Sequence, residues 1–282
     1  MDIVAFQETI NAYYATHKRA FPWRDVSNPY YVLVSEIMLQ QTQTYRVEPK
    51  FEQFIAQFPT INDLASAPLV TVLFAWQGLG YNRRAKFLHK AAQEIVAIHN
   101  GHVPAEVPHL QALSGLGYAT ASSVAAFAYN VPTVFIETNI RAVFLHFFFN
   151  GQDNIHDKQL MPLVTSALEG QDPRQWYYAL MDYGVMLKKT HPNPSRKSKH
   201  HVKQSRFEGS DRQIRGAIIR VLTSVSYSLP YDTLVAMVCE DVGRSTSDKK
   251  LATIVRKLAD EGLLSVDGND HVQIYDRSVY GK

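Results

Sequence analysis

Apolar residues recur at three- and four-residue intervals through most of the first 190 positions, the spacing of one helix face after another. Ile3, Phe6, Ile10 and Tyr13 form a stripe that predicts a first helix over residues 2–17. Residues 32–44, VLVSEIMLQQTQT, predict a strongly apolar helix in which Glu36 shares a face with Val32, Leu33 and Leu39 before the run turns polar. Residues 51–58 continue as helix, and Thr60-Ile61-Asn62-Asp63 opens another. Period-two alternation is scarce in this region, so the main body is expected to be all-α. After residue 207 the texture changes. Helices are expected at 212–224, 231–240 and 247–261, followed by two strands around a Gly-Asn turn within 262–274. Three helices and a two-stranded wing describe a winged-helix module.

A chain of 282 residues suggests about two domains at ~150 residues each. With 46% hydrophobic and 20% charged residues it can bury a core and is not a disordered protein. No apolar run approaches the ~18 residues of a membrane span. The N-terminus lacks a basic region followed by an apolar one, so no signal peptide is expected. The single cysteine, Cys239, excludes an internal disulfide or a multi-cysteine metal cluster within one chain.

Charge adds a feature that the periodicity hides. The net charge is +3, yet residues 1–186 carry 12 Lys/Arg against 15 Asp/Glu and residues 207–282 carry 10 against 11. All of the excess sits in residues 187–206, with 7 Lys/Arg and no acid. Such a block is a footprint for a polyanion, and it also has the texture of a solvated linker. Both roles are expected.

Three further places carry candidate chemistry. Glu36 is a carboxylate in apolar surroundings, where ionisation is disfavoured, so it is either ion-paired or working. At Gly78-Leu79-Gly80-Tyr81 a glycine pair breaks the helical pattern and displays Leu79 and Tyr81 at a turn beside Arg83 and Arg84. That turn fits a wedge into a base stack, or ordinary helix packing. Residues 110–121, LQALSGLGYATA, place a helix, a Gly-x-Gly hairpin and an Ala/Ser-rich helix in a row, a helix-hairpin-helix of the DNA-binding kind. Gly115 and Gly117 let backbone N–H groups approach a phosphate at the second helix's N-terminus, beside Tyr118 and Thr120. Some 20 residues later an apolar piece ends in Glu137-Thr138-Asn139, where Glu137 stands at a helix N-terminus and is favoured as the anion. One acid biased towards its proton and one towards its charge is how acid and anion roles divide in glycosidic-bond chemistry.

Taken together, Ser35-Glu36-Ile37-Met38-Leu39-Gln40-Gln41-Thr42, the 78–81 turn, the 110–121 hairpin and Glu137-Thr138-Asn139 resemble the helix-hairpin-helix (HhH-GPD) DNA glycosylase superfamily. The Ser-Glu-x-Met-Leu-Gln-Gln-Thr string is similar to that of MutY-type adenine DNA glycosylases, over about residues 5–186. The resemblance implies that adenine mispaired with 8-oxoguanine or guanine is flipped into a pocket and its N-glycosidic bond hydrolysed. Glu36 matches the acid that protonates adenine and handles the water. Glu137 takes the place of the aspartate that stabilises the oxocarbenium-like sugar, and Asn139 supports it. Gln41, Thr42, Leu79 and Tyr81 match positions that read and wedge the opposite purine.

The chain departs from the family pattern in ways that shape the expectations. Family members usually carry four cysteines for an iron–sulfur cluster just after the Met-Asp-Tyr-Gly equivalent; none stands there, so neither that cofactor nor a metal is expected. Glu137 is one methylene longer than the usual aspartate. Ala119 occupies the position of the lysine of bifunctional relatives, so strand cleavage through a Schiff base is not expected. No Nudix-like domain for recognising 8-oxoguanine is expected within these residues, where the winged-helix segment stands instead.

The expected protein is mainly α, with a two-lobed all-helical core at 1–206 and a winged-helix module at 207–282. Within the core, a barrel lobe spans about 25–133 and a second lobe 1–24 plus 134–206. It is expected to be a monofunctional adenine DNA glycosylase of base excision repair, monomeric and cytoplasmic at the nucleoid, acting on double-stranded DNA with a mispaired or damaged base and needing no membrane. Expected DNA contacts are Trp23, Arg24, Gln41, Thr42, Leu79, Tyr81, Arg83, Gly115, Gly117, Tyr118, Thr120, Lys188, Lys189, Arg196 and Lys197. The C-terminal segment is a candidate for a protein partner. Two alternatives stay open: removal of mismatched uracil or thymine, or a non-catalytic DNA-binding or regulatory protein.

Overall fold

The helices begin and end where capping chemistry allows. In the computed structural model, which describes residues 2–24, 26, 28–201, 206–225, 227–243 and 245–275, α1 (Ile3–His17) starts at Asp2, whose carboxylate accepts from Ala5 N at 2.8 Å. Asn28 accepts from Tyr30 N at 3.0 Å and Pro29 opens α2 (Pro29–Leu39), its missing N–H costing nothing at a first helical position. The chain continues through α3 (Thr44–Gln57), α4 (Ile61–Ser66, entered through a Thr60/Asp63 capping box), α5 (Leu69–Ala75) and α6 (Arg83–His99). The hairpin region forms α7 (Val107–Ala112) and α8 (Tyr118–Tyr129), followed by α9 (Thr138–Phe148), α10 (Asp157–Leu168) and α11 (Pro173–Thr190). After a 3-10 turn at Pro194–Lys197 come α12 (Asp211–Ser224), β1 (Leu229–Pro230), α13 (Tyr231–Val242), α14 (Asp248–Asp260), β2 (Leu264–Val266) and β3 (His271–Ile274). Among the described residues no helix is long and apolar enough to cross a membrane.

Two compact units form, and the division falls inside α2: residues 1–36 with 103–203, and residues 37–102 with 204–282. These limits differ from the lobes expected from sequence. The hairpin groups with α9–α11, and the C-terminal module groups with α3–α6.

In the first unit, α11 lies along α9 and against α1, with α10 also packed on α1 and α9. The core is aromatic: the Phe6 ring meets Phe144, Phe147 and Phe148 at 5.1–5.2 Å and Trp176 at 5.9 Å. Such tilted and edge-on pairs add about 0.5–1.5 kcal/mol each beyond the area they bury. Helix α8 is buried from Ala121 to Ala128, because small residues on every face let neighbours approach closely.

Among its described residues the basic segment is exposed at Lys189, Arg196 and Lys199 but is in part packed, which its composition does not suggest. Pro194, Ser195 and Ser198 are buried. Ile155 donates to Lys197 O and Lys199 donates back to Ile155 O, both at 3.0 Å, and Ser195 Oγ donates to Thr138 O at 3.2 Å. Residues 202–205 of that segment lie outside the described residues.

In the second unit, α4 and α5 pack on α6, and α12 packs on both α5 and α13. The sheet order is β1-β3-β2, antiparallel, with Leu229 and Val266 both opposite Val272. The expected two-stranded wing therefore gains a third, two-residue strand. Its turn is tied by Asp267, which accepts from Asn269 N and His271 N, while Asp270 takes the left-handed conformation.

Candidate active site

Glu36 leaves α2 between Ser35 and Ile37, where the helix is buried almost all round. The side chain keeps partial solvent contact, yet dense protein surrounds its carboxyl. Loss of water there is the largest influence on its acidity, and pushes its pKa up to about 7. A hydrogen bond with the Ser123 hydroxyl on α8 pulls the other way, the negative charge of Glu137 adds to the rise, and Arg24 opposes it. Within one unit, then, a carboxyl half-protonated near neutrality feels a second carboxylate.

Glu137 is held as the N-cap of α9. Its Oε1 accepts from Asn139 N at 2.6 Å and Ile140 N at 3.0 Å, and Asn139 Nδ2 reaches Oε2 at 3.4 Å. The next link is Lys188 at the end of α11, whose ammonium donates to Asn139 Oδ1 at 2.8 Å. Burial lowers the Lys188 pKa, and the Glu137 charge opposes that shift. A chain Lys188–Asn139–Glu137 thus orders the amide so that its N–H groups face the carboxylate.

The hairpin is built as the glycine pattern requires. Leu110, Leu113 and Leu116 are buried anchors, and Gly115 turns at φ +81°. Gly117 opens α8 with no side-chain cap, and Gly115, Gly117 and Tyr118 are exposed beside those first-turn N–H groups. Tyr118 Oη donates to Val134 O at 3.2 Å, and Thr120 is half-buried on the first turn.

In the second unit the expected reading positions are drawn together by a residue not singled out as a site. Arg84 closes the C-terminus of α2: Nη1 donates to Ile37 O and Met38 O at 2.9 Å and to Gln40 O at 2.5 Å. Its Nη2 reaches Thr42 Oγ1 at 3.0 Å, Gly80 O at 3.1 Å and Leu79 O at 3.3 Å. One guanidinium thereby couples the Gln-Gln-Thr segment to the 78–81 turn.

Several expected DNA contacts are placed differently. Trp23 is buried and stacks on Phe21 at 4.9 Å. Arg24 is buried because its fork meets Asp182 through two 2.9 Å bonds, with its guanidinium 4.2 Å from the Tyr178 ring centre. Thr42 is buried under Arg84, and Leu79 is only 2% exposed, so it packs inward rather than standing at a tip. Lys188 faces Asn139 rather than solvent, and Lys197 is half-buried with its ammonium 3.4 Å from Phe149 O. Gln41, Arg83, Lys189 and Arg196 are exposed.

This frame of two carboxyls and a glycine hairpin can be set beside known proteins. Residues 34–167 match the model of the HhH-GPD superfamily base excision DNA repair protein. The adenine DNA glycosylase of Mycolicibacterium smegmatis is 32% identical over 228 residues, covering 75% of this chain and 78% of that protein. The chain belongs to the HhH-GPD superfamily, on its adenine DNA glycosylase branch. The adenine DNA glycosylase of Buchnera aphidicola (Baizongia pistaciae strain) is also 32% identical, over 66% of this chain; here the chain spans about half, 53%, of the relative's length. A solved thermostable thymine-DNA glycosylase shares the fold with a TM-score of 0.62 over 69% of this chain and 91% of that one, at 24% identity.

The iron–sulfur cluster that the glycosylase resemblance implies does not fit the residues of this chain. Such a cluster is held by four thiolates. Cys239 is the chain's one cysteine and lies on α13, whereas the segment after Met181-Asp182-Tyr183-Gly184 carries Lys188 and Lys189 and closes on α9 through Ser195 and Lys197. Among the described residues no group of three or more His, Cys, Asp or Glu could hold a metal ion.

Proposed function

We propose that the chain is a monofunctional adenine DNA glycosylase acting on adenine opposite 8-oxoguanine or guanine in double-stranded DNA. The observation that carries this reading is the placement of Glu36, enclosed in protein, hydrogen-bonded with Ser123 and within the field of the Glu137 carboxylate capping α9, an environment that raises its pKa to about 7. Protonated Glu36 gives its proton to the departing adenine, and the electron pair of the C1′–N9 bond leaves with the base. Positive charge then builds on the sugar, where the Glu137 carboxylate stabilises it. The Glu36 carboxylate next takes a proton from the water that adds to C1′, which restores the starting state. Ala119 offers no amine at the first turn of α8, so the proposed reaction stops at an abasic site. Gln41, Tyr81, Arg83, the hairpin and the exposed Lys189 and Arg196 are the proposed DNA contacts. The proposed setting is a monomer on chromosomal DNA.

The test uses duplexes carrying A opposite 8-oxoguanine, A·G, U·G and T·G, followed by alkali. Cuts in the first two only, and only after alkali, are expected, and Glu36→Gln should abolish them while binding persists. Cutting of U·G or T·G alone would replace adenine as the substrate, and an active Glu36→Gln protein would overturn the acid assignment.

A further inference from the structure

The C-terminal module lies in one compact unit with the 78–81 turn, and the contacts between them converge on that turn. Gly78, Gly80 and Tyr81 all have left-handed φ, at +92°, +72° and +49°. For tyrosine this conformation costs about 1–2 kcal/mol, so surrounding structure must impose it. Part of that structure is local: Trp76 Nε1 donates to Gly80 O at 3.2 Å, and Arg84 lies 5.5 Å from the Tyr81 ring centre. Further support comes from α12. Arg212 Nη1 donates to Tyr81 Oη at 3.0 Å, with its guanidinium carbon 5.8 Å from the ring centre. One residue before the turn, Gln77 Nε2 donates to Thr223 Oγ1 at 2.6 Å. Behind the turn, Lys86 donates to Glu261 O, and the Glu261 carboxylate is paired with Arg215 of α12 at 2.5 Å.

We infer that Arg212 is a positioning residue for Tyr81, through which the C-terminal module sets discrimination between bases opposite the excised one. This rests on the glycosylase reading, in which Tyr81 meets the opposite purine. The charged donor fixes the direction of the phenol, and a hydroxyl that accepts a charge-assisted bond is a better donor to its next partner. A ring free to rotate about χ1 and χ2 would lose that direction. The module thus acts on recognition without itself having to grip DNA, in keeping with its slightly negative charge.

The experiment uses the full chain with Arg212→Met, Arg212→Lys, Tyr81→Phe and the double variant Arg212→Met/Tyr81→Phe. Two ratios are measured: single-turnover excision of A opposite 8-oxoguanine against A opposite guanine, and the Kd for duplexes bearing a tetrahydrofuran abasic analogue opposite the same two bases. A ratio is insensitive to the fraction of protein folded, so a merely structural role would leave both unchanged. Arg212→Met and Tyr81→Phe should each compress the ratios by about 5-fold, the effect of one lost hydrogen bond. The double variant should do no more than either single one, and Arg212→Lys should recover most of the loss. Unchanged ratios, or effects that multiply in the double variant, would overturn the inference. Should the wild-type chain excise from no duplex, the glycosylase reading falls and the binding ratio decides alone. A base preference weakened by Arg212→Met then supports the inference, and absence of any preference defeats it.

Discussion

Gly184 on α11 meets the main chain of Asn139 on α9 so closely that a Cβ at position 184 would lie 2.6 Å from the Asn139 carbonyl oxygen and 2.7 Å from its Cβ. Neither atom can swing aside, because Asn139 is in the first turn of α9 and its N–H is committed to Glu137. The bare glycine therefore sets how near α11 comes to the carboxylate's cap. Gly184→Ala is expected to cost about 1–3 kcal/mol, the range for overpacking a filled site. It should also displace the Glu137–Asn139 turn, so excision should fall even where the variant is folded. Urea unfolding and single-turnover rates, measured on the same preparation, separate the two effects; a variant of wild-type stability would contradict the close approach.

Lys188 is expected to matter through Asn139 rather than through phosphate. Lys188→Met removes the donor to Asn139 Oδ1 and leaves the amide free to turn. A hydrogen bond from a charged group contributes about 1.5–3 kcal/mol, so the excision rate should drop about 10-fold or more. The salt dependence of DNA binding should hardly move. A variant with normal excision but a flatter salt slope would instead make Lys188 a phosphate contact.

How much of this was legible follows from what kind of interaction each feature uses. Glu36 stood out because an acid in an apolar helical run is visible in one dimension, and so was Glu137, because capping is local. The left-handed turn at Gly115 was likewise written in its glycines. Arg84 and Ser123 were not visible as site residues, since their partners, α2 carbonyls 40 or more residues away and a carboxyl on another helix, are joined only by folding. Trp23, Arg24 and Leu79 were expected at the DNA, and their burial was not legible because aromatic and basic residues near a turn also serve as buried anchors. Asp182, 158 residues beyond Arg24, is what draws that arginine inside. Likewise the charge of residues 187–206 was evident, while the packing of Pro194 and Ser195 against α9 depends on contacts that composition does not encode.

The Arg24–Asp182 pair gives a stability prediction. Both side chains are nearly fully buried, and Arg19 adds a third contact to the same carboxylate at 2.7 Å. Asp182→Ala takes its bonded carboxylate partner from the enclosed Arg24 guanidinium, which typically costs 3–5 kcal/mol, on the order of a third or more of a domain's stability. Loss of soluble folded protein, or a fall of that size in the urea midpoint energy, is expected. A change under about 1 kcal/mol would mean that water reaches the guanidinium.

The exposed cations offer a separate handle on DNA binding. Lys189 and Arg196 are solvent-facing in the segment that carries the chain's positive excess. If each meets one phosphate, the Lys189→Ala/Arg196→Ala double variant should lower the slope of log affinity against log salt by about 2. Binding should weaken alike for matched and mismatched duplexes, because phosphates carry no base information. An unchanged slope would place the phosphate contacts elsewhere, with Arg83 the next exposed cation to test.

Glu36 links activity to stability through pH, with a definite sign. Its pKa of about 7 in the folded chain lies above the ordinary 4.5. Below pH 4.5 the group is protonated in both states and burial of the neutral acid carries no ionic penalty. As pH rises towards 7 the unfolded chain gives up the proton first, so folding loses up to about 3 kcal/mol, complete above pH 7. Glu36→Gln has no proton to lose. It should therefore match the wild type near pH 5, where little of the loss has developed, and exceed it at pH 8.5 by as much as that amount. Excision by the wild type should decline over the same range as the acid form disappears. Urea unfolding of both proteins at the two pH values measures the first effect and a pH–rate profile the second. An equal stability difference at pH 5 and 8.5 would mean that Glu36 is ionised in the folded chain at both, and the acid role assigned to it would fail.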